Sequence, residues 1–169
     1  MKLKSILLMV AVLAVSAVVP ATEDTGWVSL RLKEAGMVFE MPAQPKLVDR
    51  GADSPITAYA LLTGDGLLMA GYSTPMPFTT DKTAARKVLA DFDRGLTGSA
   101  NLTSAGFREV DIQGHQARVS AFQGKEDQFW RVVSVMHGDR IGFQVYIGKK
   151  EKMAGPIVTR FFNSLKLGK

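Results

Sequence analysis

Cysteine is absent from this 169-residue chain, and histidine is scarce. Without cysteine there can be no disulfide, thiol catalysis, iron–sulfur ligation or cysteine zinc site. His115 and His137 are the only histidines, and no ligand motif surrounds either one. A Gly-x-Ser-x-Gly elbow is also missing, and Gly64-Asp65-Gly66 is not followed by the third glycine and helix of a phosphate-binding loop. The sequence therefore predicts no catalytic residue, no metal, no cofactor and no enzyme activity.

Carboxylates could still do acid–base chemistry if their surroundings pushed the pKa values of a pair apart. The candidate pairs are Glu23-Asp24, Asp91 with Asp93, and Glu126-Asp127. The first lies in a polar lead-in, the second on a predicted helix and the third in a predicted hairpin turn. We expect all three pairs to be solvated, with a loop cation site at Glu126-Asp127 as the weaker alternative.

Positive charge is modest and scattered. Basic residues number 21 and acidic residues 16, and the excess of five falls to three if Lys2 and Lys4 are removed with a leader. The densest cluster, Lys149-Lys150-Glu151-Lys152, is predicted to be a solvated helix start, and the alternative is contact with anionic lipid head groups or an acidic partner. No basic stripe is interleaved with aromatic residues, so we expect no nucleic-acid partner.

The N-terminus has the pattern of a secretory signal peptide. Lys2 and Lys4 precede an apolar run from Ile6 to Val19, which ends at Pro20-Ala21. A membrane anchor would need about 20 apolar residues, and polar residues follow this shorter run. We predict a signal peptide over residues 1–21, cleaved after Ala21 or alternatively after Ala17, and a periplasmic or secreted mature protein.

The remaining chain predicts an α+β domain of a size common for single domains. Alternating apolar residues, proline stops and glycine turns indicate strands at 27–32, 37–41, 57–62, 67–72, 107–112, 115–123, 129–137 and 141–147. An amphipathic helix follows Thr80-Asp81, with Gly95 and Gly98 as candidate C-caps, and a second helix begins at Pro156. Strand 129–137 is apolar on both faces, which predicts an antiparallel sheet of about six to seven strands with helices packed on both faces.

Aromatic side chains are the residues best suited to line a ligand site. Most of them fall on predicted strands of a sheet covered on both faces, where core packing is the more frequent role. We therefore predict core positions, with a ligand site as the alternative, for Trp27, Trp130, Tyr59, Tyr72 and Tyr146.

Two segments give a resemblance to a known family. The stretch Phe39-Glu40-Met41-Pro42-Ala43-Gln44-Pro45 resembles the opening of PsbP-like domains, and Arg160-Phe161-Phe162-Asn163-Ser164-Leu165-Lys166 is similar to their closing segment. The resemblance covers about residues 36–167 and implies an α/β/α sandwich. Members include an extrinsic photosystem II subunit, a Ran-binding nuclear-transport protein and many exported bacterial proteins. None of the matching positions is a functional residue in the family, so the resemblance implies no site.

These observations predict a signal peptide at 1–21, a lead-in and first strand at 22–35, and a single PsbP-like domain at 36–169. The predicted function is that of an exported, non-enzymatic domain that binds a partner protein or a small ligand in the cell envelope. A periplasmic enzyme with an unrecognised site and a peripheral membrane or lipid-binding module are the alternatives. The sequence identifies no binding residue and no oligomeric state.

Overall fold

A computed structural model describes residues 26–49, 51, 53–77 and 81–168. The predicted signal peptide, Glu23-Asp24 and Thr80 lie outside the described residues. The strands are β1 (Val28–Leu32), β2 (Met37–Met41), β3 (Lys46–Leu47), β4 (Ile56–Thr63), β5 (Gly66–Ser73), β6 (Thr103–Ile112), β7 (His115–Gln123), β8 (Gln128–His137), β9 (Arg140–Lys149) and β10 (Lys166–Leu167). The helices are α1 (Lys82–Ala100) and α2 (Pro156–Asn163), with short 3₁₀ turns at Lys33–Ala35 and Lys150–Lys152.

Seven strands form one antiparallel sheet in the order β3-β4-β5-β9-β8-β7-β6. The predicted hairpin of β4 and β5 is confirmed, with Thr63 opposite Gly66 across the turn. The four strands β6 to β9 form the predicted antiparallel meander, because each is joined to the next by a short connection containing glycine or a left-handed residue. This large sheet confirms the predicted antiparallel sheet.

A second, smaller sheet has the order β1-β2-β10. The first two strands form a hairpin around the 3₁₀ turn, where Gly36 adopts a left-handed φ of 62°. The third strand comes from the extreme end of the chain and pairs with β2 through only two residues. Sequence analysis missed β10 and β3, because strands of two residues have no period that a sequence pattern can reveal.

Side chains of the large sheet alternate between two hydrophobic cores. On β8, Trp130, Val132 and Met136 belong to the core that contains α1. The intervening Val133 and Val135 belong to the core that contains α2 and the small sheet. The apolar pattern predicted for both faces of this strand is therefore confirmed.

Helix α1 follows the predicted stripe but ends later than predicted. Ala85, Leu89 and Phe92 are buried on it, and Asp81 caps its first turn by accepting a hydrogen bond from the backbone N–H of Thr83 at 2.9 Å. The prediction of a C-cap at Gly95 or Gly98 is wrong. Both glycines lie inside the helix, which ends at Asn101 with a left-handed φ of 50°. Asparagine tolerates this conformation, and packing against the sheet carries the helix past the glycines.

Helix α2 begins with Pro156 in its first turn, as predicted. Val158, Phe161 and Phe162 are buried, and Leu165, just beyond the helix, is buried in the same core. Within the described part of the chain, neither helix has the length and apolarity needed to cross a membrane.

Candidate functional site

The outward face of the small sheet carries a row of one apolar residue between two cations. Val38 on β2 lies opposite Arg31 on β1 and opposite Lys166 on β10. Directly paired residues of antiparallel strands point to the same face of a sheet. Arg31 and Lys166 are exposed and Val38 is half-buried, whereas Leu32 and Met37 on the opposite face are buried in the core. The small sheet is thus closed on one face and open on the other.

A groove of about 400 Å³ lies at this row. It is an open depression on the surface of the sheet and not an enclosed cavity. We call it the basic groove, and its lining residues are Arg31, Leu32, Lys33, Gly36, Met37, Val38, Lys166, Leu167 and Gly168.

The cations of the basic groove have no counter-ion among the described residues. Arg31, Lys33 and Lys166 are exposed, and none of them takes part in an ion pair there. The acidic residues of the same elements are engaged elsewhere. Glu34 accepts a hydrogen bond from the Tyr72 hydroxyl at 2.9 Å, and Glu40 accepts one from Arg160 Nη2 at 3.2 Å. Three positive charges are therefore left to face solvent.

The bond between Tyr72 and Glu34 is robust at neutral pH. Burial, followed by this hydrogen bond, raises the pKa of the Tyr72 phenol above its usual value. The phenol therefore stays protonated and keeps donating to the carboxylate. The Glu34 carboxylate is thus engaged by the Tyr72 hydroxyl.

The sheet face beside the groove is fixed by a second interaction. Glu40 lies two residues after Val38 and so shares its face. Arg160, which bonds Glu40, also stacks over the Trp27 ring at 4.2 Å from the ring centroid. The backbone N–H of Glu40 donates to Ser164 Oγ at 2.9 Å. These contacts join α2 to the small sheet and engage the Arg160 guanidinium with Glu40 and Trp27.

Beneath α1 lies a buried polar cluster formed by Asp93, Arg118 and Ser120. Arg118 Nε donates to Asp93 Oδ2 at 2.5 Å, and the Ser120 hydroxyl donates to the same oxygen. The side chains of Arg118 and Asp93 are 10% and 8% exposed. The expectation that the pair of Asp91 and Asp93 is solvated is therefore wrong for Asp93. Helical spacing turns this residue toward β7, whereas Asp91 pairs with Arg94 nearer the surface.

The buried polar cluster is closed over by its neighbours. The Arg118 guanidinium lies 3.5 Å from the centroid of the Phe107 ring, and its Nη1 is 3.8 Å from Glu109 Oε1. Arg86 on α1 approaches the same Glu109 at 3.0 Å. A carboxylate and a serine do meet here, but Ser120 is 2% exposed. The arrangement joins α1 to the sheet, and its three polar side chains are buried.

The two histidines come together although the sequence separates them. His115 begins β7 and His137 ends β8, and their rings meet edge to face with centroids 4.7 Å apart. Both side chains are half-buried. Burial, and then the charge of His115, lowers the pKa of His137. Across the described residues no cluster of three or more His, Cys, Asp or Glu side chains could hold a metal ion.

The other charged candidates lie at turns. The segment Lys149–Lys152 is predicted to start a helix, but the structure has a 3₁₀ turn there and α2 begins at Pro156. Lys152 Nζ pairs with Asp65 at 3.2 Å, and Lys150 lies over the Phe129 ring. Glu126 and Asp127 are exposed in the loop between β7 and β8, where both have a left-handed φ.

The aromatic candidates take core positions. Trp130, Tyr72 and Tyr146 are buried, and Trp27 and Tyr59 are partly buried against the core that contains α2. None of these five rings lines the basic groove.

Sequence analysis did not find the basic groove. In the sequence, Arg31 falls within the predicted strand 27–32, and Lys166 falls within the closing segment. The groove depends on the pairing of β10 with β2, which joins opposite ends of the chain. The one local signal was the placement of Arg31 and Val38 at alternating, outward positions of their strands.

The sequence matches no protein-family model and no curated protein. Among solved structures, the fold is similar to that of cyanobacterial PsbP (CyanoP) from Synechocystis sp. PCC 6803. The TM-score is 0.60 at 10% identity, and the match covers 85% of this chain and 93% of that one. A weaker similarity, with a TM-score of 0.43 at 17% identity, links 75% of this chain to 85% of PA94, a Pseudomonas aeruginosa protein of unknown function. The first match confirms the predicted resemblance in fold: this chain has a PsbP-like fold.

Proposed function

We propose that this chain is an exported, non-enzymatic domain that binds a partner protein or a small ligand in the cell envelope through the basic groove. The observation that carries the proposal is the set of unpaired cations around that groove. An exposed cation without a counter-ion adds nothing to folding, but it is available to an anionic ligand. The contacts that engage the carboxylates of Glu34 and Glu40 with Tyr72 and Arg160 leave the groove cations available.

Several features support a binding role over catalysis. The contact between a carboxylate and a serine hydroxyl, Asp93 with Ser120, is buried beneath α1. The paired histidines lie at a half-buried strand end and have no nearby nucleophile among their described contacts. A binding surface, by contrast, needs only shape and charge, and the basic groove has both.

Export and the layered architecture belong to the same proposal. Export is supported by the charged start, apolar run and small residues of the leader. A helix on each side of the large sheet is supported by the membership of α1 in one core and α2 in the other. A rigid sandwich of this kind would present the small sheet as a fixed platform.

Binding to lipid through Lys149–Lys152 has less support. Lys152 is paired with Asp65, and Lys150 lies over Phe129, so part of that charge is already engaged. Flotation with anionic liposomes at low and high salt tests this alternative, because an electrostatic contact must weaken as salt is added.

Capture from the native envelope tests the proposed function. The mature protein would be immobilised and incubated with periplasm of its own source, and bound material identified by mass spectrometry. Native mass spectrometry of the purified protein would detect a co-purified small molecule. The variant Arg31→Glu/Lys166→Glu should lose the ligand, and Lys82→Glu/Lys87→Glu, with the same charge change on α1, should retain it. Equal retention by both variants would overturn the groove as the binding surface.

A further inference from the structure

We infer that the basic groove binds an extended acidic segment of a protein partner, in which carboxylates flank an apolar side chain. The inference rests on the proposed function, since it names the class of ligand for the same groove. It is drawn from three properties of the groove: the sign of its charge, the spacing of its cations and its openness.

The charge of the groove selects an anionic ligand. Arg31, Lys33 and Lys166 all line it, and its lining contains no acidic residue. A neutral or cationic segment would leave these three charges uncompensated or repelled. Charges at the rim of an interface contribute mainly to the association rate and to the choice of partner.

The spacing of the cations indicates more than one anionic group. Neighbouring strands lie about 4.8 Å apart, so Arg31 and Lys166, on either side of β2, are separated by about 10 Å at their Cα atoms. Val38 stands between them on the outward face of the small sheet. A single compact ion held by both cations would leave this apolar floor uncovered. Two carboxylates on either side of an aliphatic side chain would use the whole row.

The openness of the groove favours a polypeptide over a small molecule. Small-molecule sites bury about 70–90% of the ligand surface. Here the cations are exposed and the floor is the outer face of a sheet, so a ligand would be covered on one side only. A segment that belongs to a protein gains further contacts beyond the groove and does not need to be enclosed by it.

Fluorescence anisotropy with defined peptides tests the inference. The probe is a short fluorescein-labelled peptide in which glutamates flank a single leucine. One comparison peptide has glutamine in place of each glutamate, and another has serine in place of the leucine. We expect the glutamate peptide to bind, its affinity to fall as salt is raised, the glutamine peptide not to bind and the serine peptide to bind more weakly.

Variants of the full mature chain locate the binding. Arg31→Glu/Lys166→Glu should weaken binding of the glutamate peptide by at least about tenfold, and Arg31→Gln/Lys166→Gln should give a smaller loss. Lys82→Glu/Lys87→Glu has the same net charge as the first variant and should bind as the parent does. Circular dichroism melting would confirm that all three variants are folded. Equal losses in the groove variant and the α1 variant would overturn the inference, as would equal binding of the glutamine peptide.

Three further outcomes separate the inference from the proposed function on which it rests. If the peptide does not bind while a native ligand is captured and is lost in Arg31→Glu/Lys166→Glu, the function stands and the acidic segment is wrong. If inorganic phosphate at matched ionic strength displaces the peptide at concentrations similar to the peptide's own, the groove is a small-anion site and the inference is again wrong. If no native ligand depends on the groove, the proposed function fails whatever the peptide does.

Discussion

The buried polar cluster beneath α1 and the basic groove on the small sheet place positive charge in opposite settings. In the cluster, Arg118 is 9% exposed and its charge is met by Asp93. In the groove, Arg31 and Lys166 are exposed and are met by no acid among the described residues. A buried ion left unpaired lowers stability strongly, whereas an exposed ion can stay unpaired at little cost. The first arrangement therefore serves stability, and the second is free to serve binding.

The largest loss of stability is expected when the carboxylate of the buried pair is removed. Asp93→Ala leaves the Arg118 guanidinium buried without a counter-charge, and truncating one partner of a buried pair costs about 3–5 kcal/mol. We expect a loss of that size in the free energy of unfolding, measured by urea denaturation.

The neighbouring carboxylate supplies the control. Asp91 lies on the same helix and pairs with Arg94, whose side chain is 75% exposed. Arg94 stays solvated when its partner is removed, so Asp91→Ala should cost about 1 kcal/mol or less, although the Asp91 side chain is only 20% exposed. Equal losses in the free energy of unfolding would show that removing either carboxylate from α1 destabilises the protein to the same extent. The buried pair would then contribute no more to stability than the pair nearer the surface.

A smaller effect is expected from the hydroxyl in the same cluster. Ser120→Ala removes one hydrogen bond to the charged Asp93 carboxylate, which should cost about 1–3 kcal/mol. The matched control is Ser134, which is fully buried and whose Oγ has no hydrogen-bond partner among the described residues. Ser134→Ala should be neutral or slightly stabilising in the same urea titration. A greater cost at Ser134 than at Ser120 would contradict the account of the cluster.

Much of the fold follows from local pattern, and the site does not. The apolar residues of β8 and the stripe of α1 could be predicted because each repeats with the period of its own element. The end of α1 could not, because packing of Leu89 and Phe92 outweighs the helix-weakening effect of glycine. Burial of Asp93 also depends on tertiary packing, namely on which strand the helix covers. The basic groove requires β10 to pair with β2, which is far away in the sequence. A strand of two residues has no sequence pattern from which this pairing could be predicted.

The seam between the two sheets should respond to pH. A Cβ added at Gly36, beside the small sheet, would lie 3.0 Å from His137 Nε2, so this imidazole sits where the sheets meet. Burial, then the charge of His115, holds the pKa of His137 below the usual 6.5. The unfolded chain therefore binds the proton more readily, and stability should fall as pH drops from about 6.5 through the lower, folded pKa.

Thermal melting across that interval checks the pH prediction. His137→Gln should remove part of the loss on acidification, because glutamine does not titrate. An unchanged pH dependence in this variant would assign the loss to other groups. Protonation of His137 should lower stability whether or not the groove cations are present. Arg31→Glu/Lys166→Glu is therefore expected to keep the parental pH dependence of stability.

The smallest effect on stability is expected from the groove variant, which tests directly whether the groove cations serve binding and not folding. Arg31→Glu/Lys166→Glu changes two exposed side chains that make no ion pair among the described residues, so the free energy of unfolding should shift by about 0.5 kcal/mol or less. The same variant is expected to lose the acidic peptide, and Asp93→Ala, where it is still folded, is expected to keep it. Urea denaturation and peptide anisotropy on the same preparations would show whether the two effects separate. A large loss of stability in the groove variant would mean that these cations hold the small sheet together, and the division between structural and binding charge would fail.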